Sequence, residues 1–253
     1  MMVKKWILLI ASVLLILICL YSWLQGVHSL PKLQRPTLQH LLGTDQRGRD
    51  FLIRLMMGSA VTLGLTACVI FLSMLIGLSL GLTAGVVGRT FDKVIMFLAD
   101  MLLAIPSLII ALVVLSFLSD SIIGLIMALV LGWVGRYLRY FRNLTRDLTK
   151  RPFIMYAPLS GESLFQTTIT HIIPHLMRNV LALITADFGK IMLSISGLAF
   201  LGLGIKPPTP ELGTILFDGK SYFNIAPWLF FYPGVLLGGF ALICQRLNKK
   251  YMQ

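Results

Sequence analysis

Apolar runs of the length that a bilayer requires recur along this chain between short polar turns, and that recurrence restricts the fold more than any other feature. A hydrocarbon core about 30 Å thick is crossed by about 20 apolar residues of helix, and irregular backbone cannot face lipid there. Runs at 6–24, 58–87, 94–118, 122–134, 180–203 and 228–244 fit this reading. They predict an all-α membrane protein with six transmembrane helices. The fourth run is short, so its ends are expected to reach into the flanking sequence. Only 13% of the residues are charged, against about 25% in a soluble domain. That excludes a soluble enzyme.

Lys4 and Lys5 precede the first run, whose length and bulky far end predict an uncleaved helix rather than a signal peptide. The stretch 25–54 carries His28, Pro31, Pro36 and His40 with several charges, and is expected at the outer surface. Leu52, Leu55 and Met56 have helical spacing, which predicts an interfacial helix entering the membrane. The chain therefore divides into residues 1–57, a first helix with an outer segment, and a transmembrane domain over 58–248. Gly77, Gly81 and Gly85 recur four apart, as do small residues where membrane helices approach closely. Asp100 and Pro106 interrupt the third run, and Asp187 and Lys190 the fifth. Charged groups at such depth must face protein or water.

The one long polar interval, 135–176, is dense in cations from Arg136 to Arg151. Lys and Arg collect in cytoplasmic loops, so this interval and both termini are placed inside. The formal net charge of +12 then reflects orientation rather than nucleic-acid binding. Contact with anionic lipid and contact with a protein partner are equal readings of the basic run. Cys19, Cys68 and Cys244 stand alone in apolar runs and read as small buried hydrophobes. No Walker motif or HExxH signature occurs, so the chain shows no catalytic chemistry of its own.

At the residue level, GTDQRGRDFLIRLMMGSAVTL (43–63) resembles the GTDxxGRDxxSRxxxGxxxSL signature of the second permease subunit of nickel, dipeptide and oligopeptide ABC importers. ADMLLAIPSLIIAL, GESLFQTTITHIIPHL and ISGLAFLGLGIKPPTPELG extend the likeness in the same order, the last resembling LSFLGLGxxPPxPEWG. The resemblance implies a type-1 ABC importer transmembrane domain and marks Gly43, Thr44, Asp45, Gly48, Arg49 and Asp50 as its outer motif. It also implies a coupling loop over 136–176. Aligning Pro174 and Ile173 with the end of the family's EAA pattern puts Gly161 on its glycine and Met155, Tyr156 and Ala157 on EAA. The glutamate of the pattern is replaced by Met155, which removes any ion pair it would make. In the family this segment docks into a groove of the ATPase subunit, a bend that Gly161 would permit.

The implied partners are a homologous second permease, two ATP-binding subunits, an extracytoplasmic substrate-binding protein and the lipid bilayer. No nucleic acid is expected. No cofactor is expected on this subunit, ATP and Mg belonging to the ATPases. The implied location is the bacterial cytoplasmic membrane. Nickel, or a nickel chelate, is the cargo read from PLSGESL and DFGKIML; dipeptides or oligopeptides are the alternative, and an ion-coupled secondary carrier is an alternative of another class. Asp100, Asp187 and Lys190 have two open roles, an intramembrane ion pair or a pathway lining. His171 and His175 have the spacing of a metal pair but show no third ligand, so no metal site is assigned. His28 and His40 read as solvated side chains or as a contact for a binding protein.

Overall fold

The computed structural model describes residues 31–118, 121–157, 161–205 and 208–252. The first expected span, with Lys4, Lys5, Cys19 and His28, lies outside them, as does Lys206. The described residues are helical and contain no strand, only an isolated bridge between Thr44 and Asp50. The helices are α1 (Phe51–Val87), α2 (Arg89–Ala104), α3 (Ser107–Phe117), α4 (Ile122–Thr149), α5 (Pro152–Met155), α6 (Leu164–Thr167), α7 (Ile173–Phe200), α8 (Leu212–Lys220) and α9 (Trp228–Met252). One π-helical turn, Thr168–Ile172, joins α6 to α7.

Among the described residues, four helices are long and apolar enough to cross a membrane, at Phe51–Val87, Ile122–Thr149, Val180–Phe200 and Trp228–Lys249. The expected span at 94–118 is not one straight helix: it is a pair, α2 and α3, which together are long and apolar enough for a crossing and are bent by 93° at a break, as a broken span or a re-entrant loop. Pro106 has no N–H to donate, and Ile105 before it is extended (φ −104°, ψ 131°), the conformation that a following proline imposes. Nor is there a separate interfacial helix before the second span. Asp50 accepts hydrogen bonds from the Leu52 and Ile53 amides at 2.9 and 3.2 Å and caps one continuous helix of 37 residues. The fourth span, short in hydropathy, continues to Thr149 and takes the first part of the polar interval with it.

Packing divides the chain into two compact units, one of residues 1–65 and 195–239, the other of 66–194 and 240–253. In the first, Gly213 and Gly219 bring α8 against its neighbours. A Cβ on Gly213 would lie 2.1 Å from the Ser196 carbonyl oxygen, and one on Gly219 2.6 Å from that of Leu229. Phe51 is buried and its ring centroid is 6.5 Å from that of Tyr232.

In the second unit α4 is the central element, and glycine on both sides lets backbones approach it. On α1, a Cβ on Gly77 would lie 2.5 Å from Tyr137 Cβ, on Gly81 2.7 Å from the Leu138 oxygen, and on Gly85 2.6 Å from Thr145 Cγ2. On α4 itself, a Cβ at Gly132 would meet the Ser107 oxygen at 2.9 Å, and at Gly135 it would meet Leu102 Cβ at 3.0 Å. Tyr137 and Phe141 are fully buried between these contacts.

Candidate functional site

Three groups of residues carry the chemistry that the chain displays. The first is the segment after α4. Gly161 has φ 84°, a left-handed conformation that costs other residues about 1 kcal/mol or more. Ser163 then caps α6 with a full capping box, its hydroxyl accepting from the Gln166 amide while the Gln166 side chain accepts from its own. Pro174 follows the π turn. Its ring would clash with a carbonyl one α turn earlier and it donates nothing there, which accounts for the widened winding at Thr168–Ile172.

Within this segment Met155 and Tyr156 are exposed, Ala157 is buried, Ile173 is half-buried and Pro174 is exposed. Phe153, Leu164 and Phe165 add further exposed apolar surface. The Phe153 ring lies 5.5 Å from the His175 ring and 6.4 Å from that of His171. His175 Nδ1 is 2.9 Å from the His171 carbonyl, and His171 Nε2 is 3.3 Å from Glu162 Oε2. The two histidines thus brace the turn. No grouping of three or more His, Cys, Asp or Glu suited to a metal occurs among the described residues.

The second group is a set of ion pairs along α4. Here the reading of Arg136–Arg151 as a basic loop is corrected. Arg136, Arg139, Arg142 and Arg146 lie on one helix, and each meets an acid from another part of the same unit. Asp92 receives both ends of the Arg142 guanidinium, one of them Nε at 2.6 Å, with Arg146 at 3.6 Å. Asp100 pairs with Arg139. Asp187, fully buried, accepts from Arg136 Nε at 2.9 Å, and Lys190 Nζ lies 3.6 Å from its other oxygen. Asp92 went unmarked in the sequence. The signal available was the spacing of the four arginines, which already placed them on one helical stripe.

The third group is the outer motif. Gly43 and Gly48 have φ of 75° and 71°, and a Cβ on Gly43 would fall 2.3 Å from the Gln34 oxygen. Thr44 is buried, donating to the Pro31 carbonyl at 2.6 Å and accepting from the Gln34 amide at 2.8 Å. Asp45 takes the Arg47 and Arg49 amides on one oxygen and Arg49 Nε and Arg54 Nη1 on the other, the last at 2.6 Å. Arg54 also reaches Asp218 at 2.7 Å, and Gln46 donates to the same oxygen at 3.2 Å. Burial pushes the Asp218 carboxyl above the usual range and the charge of Asp45 adds to this, against the opposing pull of Gln46, Arg47 and Arg49. His40, expected to be solvated, has Nδ1 2.9 Å from Asp50 Oδ2.

Sequence reasoning missed Glu211. It is fully buried, meets no cation among the described residues, and accepts from Ser196 at 2.7 Å, Thr62 at 3.0 Å and the Thr214 amide at 3.0 Å. The helix N-terminus it caps favours its charge.

Four long apolar helices, one bent helix pair and a stripe of helix-approach glycines among the described residues define a multi-pass membrane protein. Residues 77–249 match the family described as binding-protein-dependent transport system inner membrane component. The nickel transport system permease protein NikC of Escherichia coli (strain K12) is 34% identical over 235 residues, covering 90% of this chain and 85% of that protein. The dipeptide transport system permease protein DppC of Haemophilus influenzae is 32% identical over 198 residues, covering 78% of this chain and 67% of that protein. DppC of Alkalihalophilus pseudofirmus is 32% identical over 203 residues, covering 80% and 67%. The chain belongs to the family of ABC importer inner-membrane permeases that includes the nickel and dipeptide systems.

Proposed function

We propose that this subunit carries nickel, or a nickel chelate, across the bacterial cytoplasmic membrane, with both termini inside. The single observation that supports nickel is the likeness to the NikC permease over nearly the whole chain, 90% of it, where the two dipeptide permeases match 78% and 80%. The dipeptide reading rests on those same relatives and on an identity only slightly lower.

In this reading the subunit pairs with a homologous permease, receives cargo from an extracytoplasmic binding protein, and binds no cofactor. ATP and Mg belong to two partner ATPases. Energy enters through Met155, Tyr156, Ala157, Gly161, Ile173 and Pro174. The exposed side chains of Met155 and Tyr156 supply apolar surface for a groove, in place of the family's glutamate. The left-handed Gly161 fixes the turn behind them. Uptake of radioactive nickel and of labelled dipeptides, in a strain deleted for this chain and complemented with it, tests the reading. Restored nickel uptake alone supports it, and restored dipeptide uptake alone replaces it with the peptide importer.

A further inference from the structure

Lys190 stands at residue 190 of a span that runs from Val180 to Phe200, so it is about 15 Å from either end at 1.5 Å per residue. That is the middle of a hydrocarbon core about 30 Å thick, too deep for a lysine to snorkel to the headgroups. Yet its side chain is 58% exposed in the chain by itself. Arg136, 43% exposed, shares Asp187 with it. One carboxylate therefore faces two cations, and no other carboxylate of the described residues lies within ion-pair distance of either. A positive charge remains uncompensated at mid-membrane, on a surface that must meet water, protein or a passing solute rather than lipid.

The surface also has a direction. From Arg136 the exposed polar residues of α4 continue through Arg139, Asn143 and Arg146, a strip about 15 Å long. Asp100 pairs with Arg139 along it and is itself half exposed. A polar strip that leads from mid-membrane toward the cation-rich end of the helix is what the wall of an aqueous path requires.

We propose that Lys190, with Arg136 behind it, is a specificity-determining contact for a carboxylate on the cargo. The inference rests on the permease reading above and narrows it. That carboxylate can belong to a metal chelator or to the free C-terminus of a peptide. The Asp187 carboxylate holds the two cations in place, and the cargo supplies the missing negative charge in transit.

The test is uptake by the complete importer, with its binding protein, permease partner and ATPases, in proteoliposomes. The probes are radioactive nickel alone, radioactive nickel with a tricarboxylate chelator, a labelled dipeptide with a free C-terminus, and the same dipeptide amidated. The two carboxylate-bearing probes distinguish a chelate from a peptide as the source of the anion. For the one the wild type transports, Lys190→Met should lower the rate at saturating cargo about tenfold, the loss of one charge-assisted contact. Apparent KM, set by the binding protein, should stay unchanged, and Lys190→Arg should retain most of the rate. Free nickel and amidated peptide should be poor cargo for the wild type.

Uptake by Lys190→Met at the wild-type rate overturns the proposal. So does an equal loss for carboxylate-bearing and carboxylate-free probes, or loss of the permease partner on purification, which would make Lys190 a subunit contact. Where Lys190→Met does not accumulate, Lys190→Gln carries the same comparison. A wild-type importer that moves none of the four probes refutes the permease reading itself and is told apart by needing no variant.

Discussion

Asp187 has no exposed surface, and the hydrogen bond it accepts from Arg136 Nε at 2.9 Å ties the fifth expected span to the arginine-bearing helix α4. A carboxylate in that position depends on its cation. Arg136→Ala should cost about 2–4 kcal/mol, below the roughly 3–5 kcal/mol of a fully enclosed pair because Arg136 is 43% exposed. Asp187→Asn should cost less, since an amide is cheaper to bury than an orphaned charge. The double variant should fall short of the summed losses in a thermal unfolding series in detergent. Strict additivity would mean that the two side chains do not interact.

The glycine stripe on α1 makes a second, graded prediction. At Gly81 a methyl group would sit 2.7 Å from the Leu138 oxygen and 2.9 Å from the Arg142 nitrogen, both backbone atoms that cannot swing aside. Gly81→Ala should therefore destabilise by about 1–3 kcal/mol. Gly64, where an added methyl would meet nothing within 4 Å, should accept alanine at no cost, or gain up to about 1 kcal/mol of helix propensity. Detergent-solubilised melting temperatures of the two variants give the comparison.

Gly161→Leu places a branched side chain at φ 84°. The expected phenotype is separation of functions. The protein reaches the membrane in normal amount, while uptake of its cargo falls by an order of magnitude or more relative to ATP hydrolysis, roughly the scale on which a small misplacement of a coupled element acts. Parallel measurement of uptake, hydrolysis and membrane abundance decides it, and undiminished uptake would remove Gly161 from the coupling role proposed for it.

Asp218 gives a pH prediction whose sign is set by burial. Its folded-state pKa is raised above 3.8, so the folded protein holds this proton more tightly than the unfolded chain. Its contribution to stability is greatest below 3.8 and declines as pH climbs from there through the raised folded value. Asp218→Asn removes that titration. The stability of the wild type relative to the variant should drop across this interval and level off above it, as read from melting temperature against pH. A difference that rises with pH would show that Arg54 outweighs burial.

How far these features were legible in the sequence depends on the distance over which each is made. Hydropathy located α1, α4, α7 and α9 because a bilayer imposes a length on any helix that crosses it. Pro106 showed where a run would be interrupted, but not that α3 would turn by 93°, since a proline fixes its own neighbourhood and not the course of the helix beyond it. Arg136–Arg146 read as loop because charge was counted without partners. Asp92, Asp100 and Asp187 come from elsewhere in the unit and pair with the same residues along one helix. The outer motif was recognisable by likeness alone. Its use as a staple, Asp45 to Arg54 to Asp218, joins positions 164 residues apart, which no local pattern encodes.

The unbroken run of α1 has a mechanical consequence. Its 37 residues extend about 55 Å, against a hydrocarbon core of about 30 Å. Asp50 closes one end of this rod, and the glycines at 77, 81 and 85 are set toward the other. About 25 Å of it must therefore leave the hydrocarbon or be taken up by tilt, and the helix can do either because it satisfies its own backbone hydrogen bonds along its whole length.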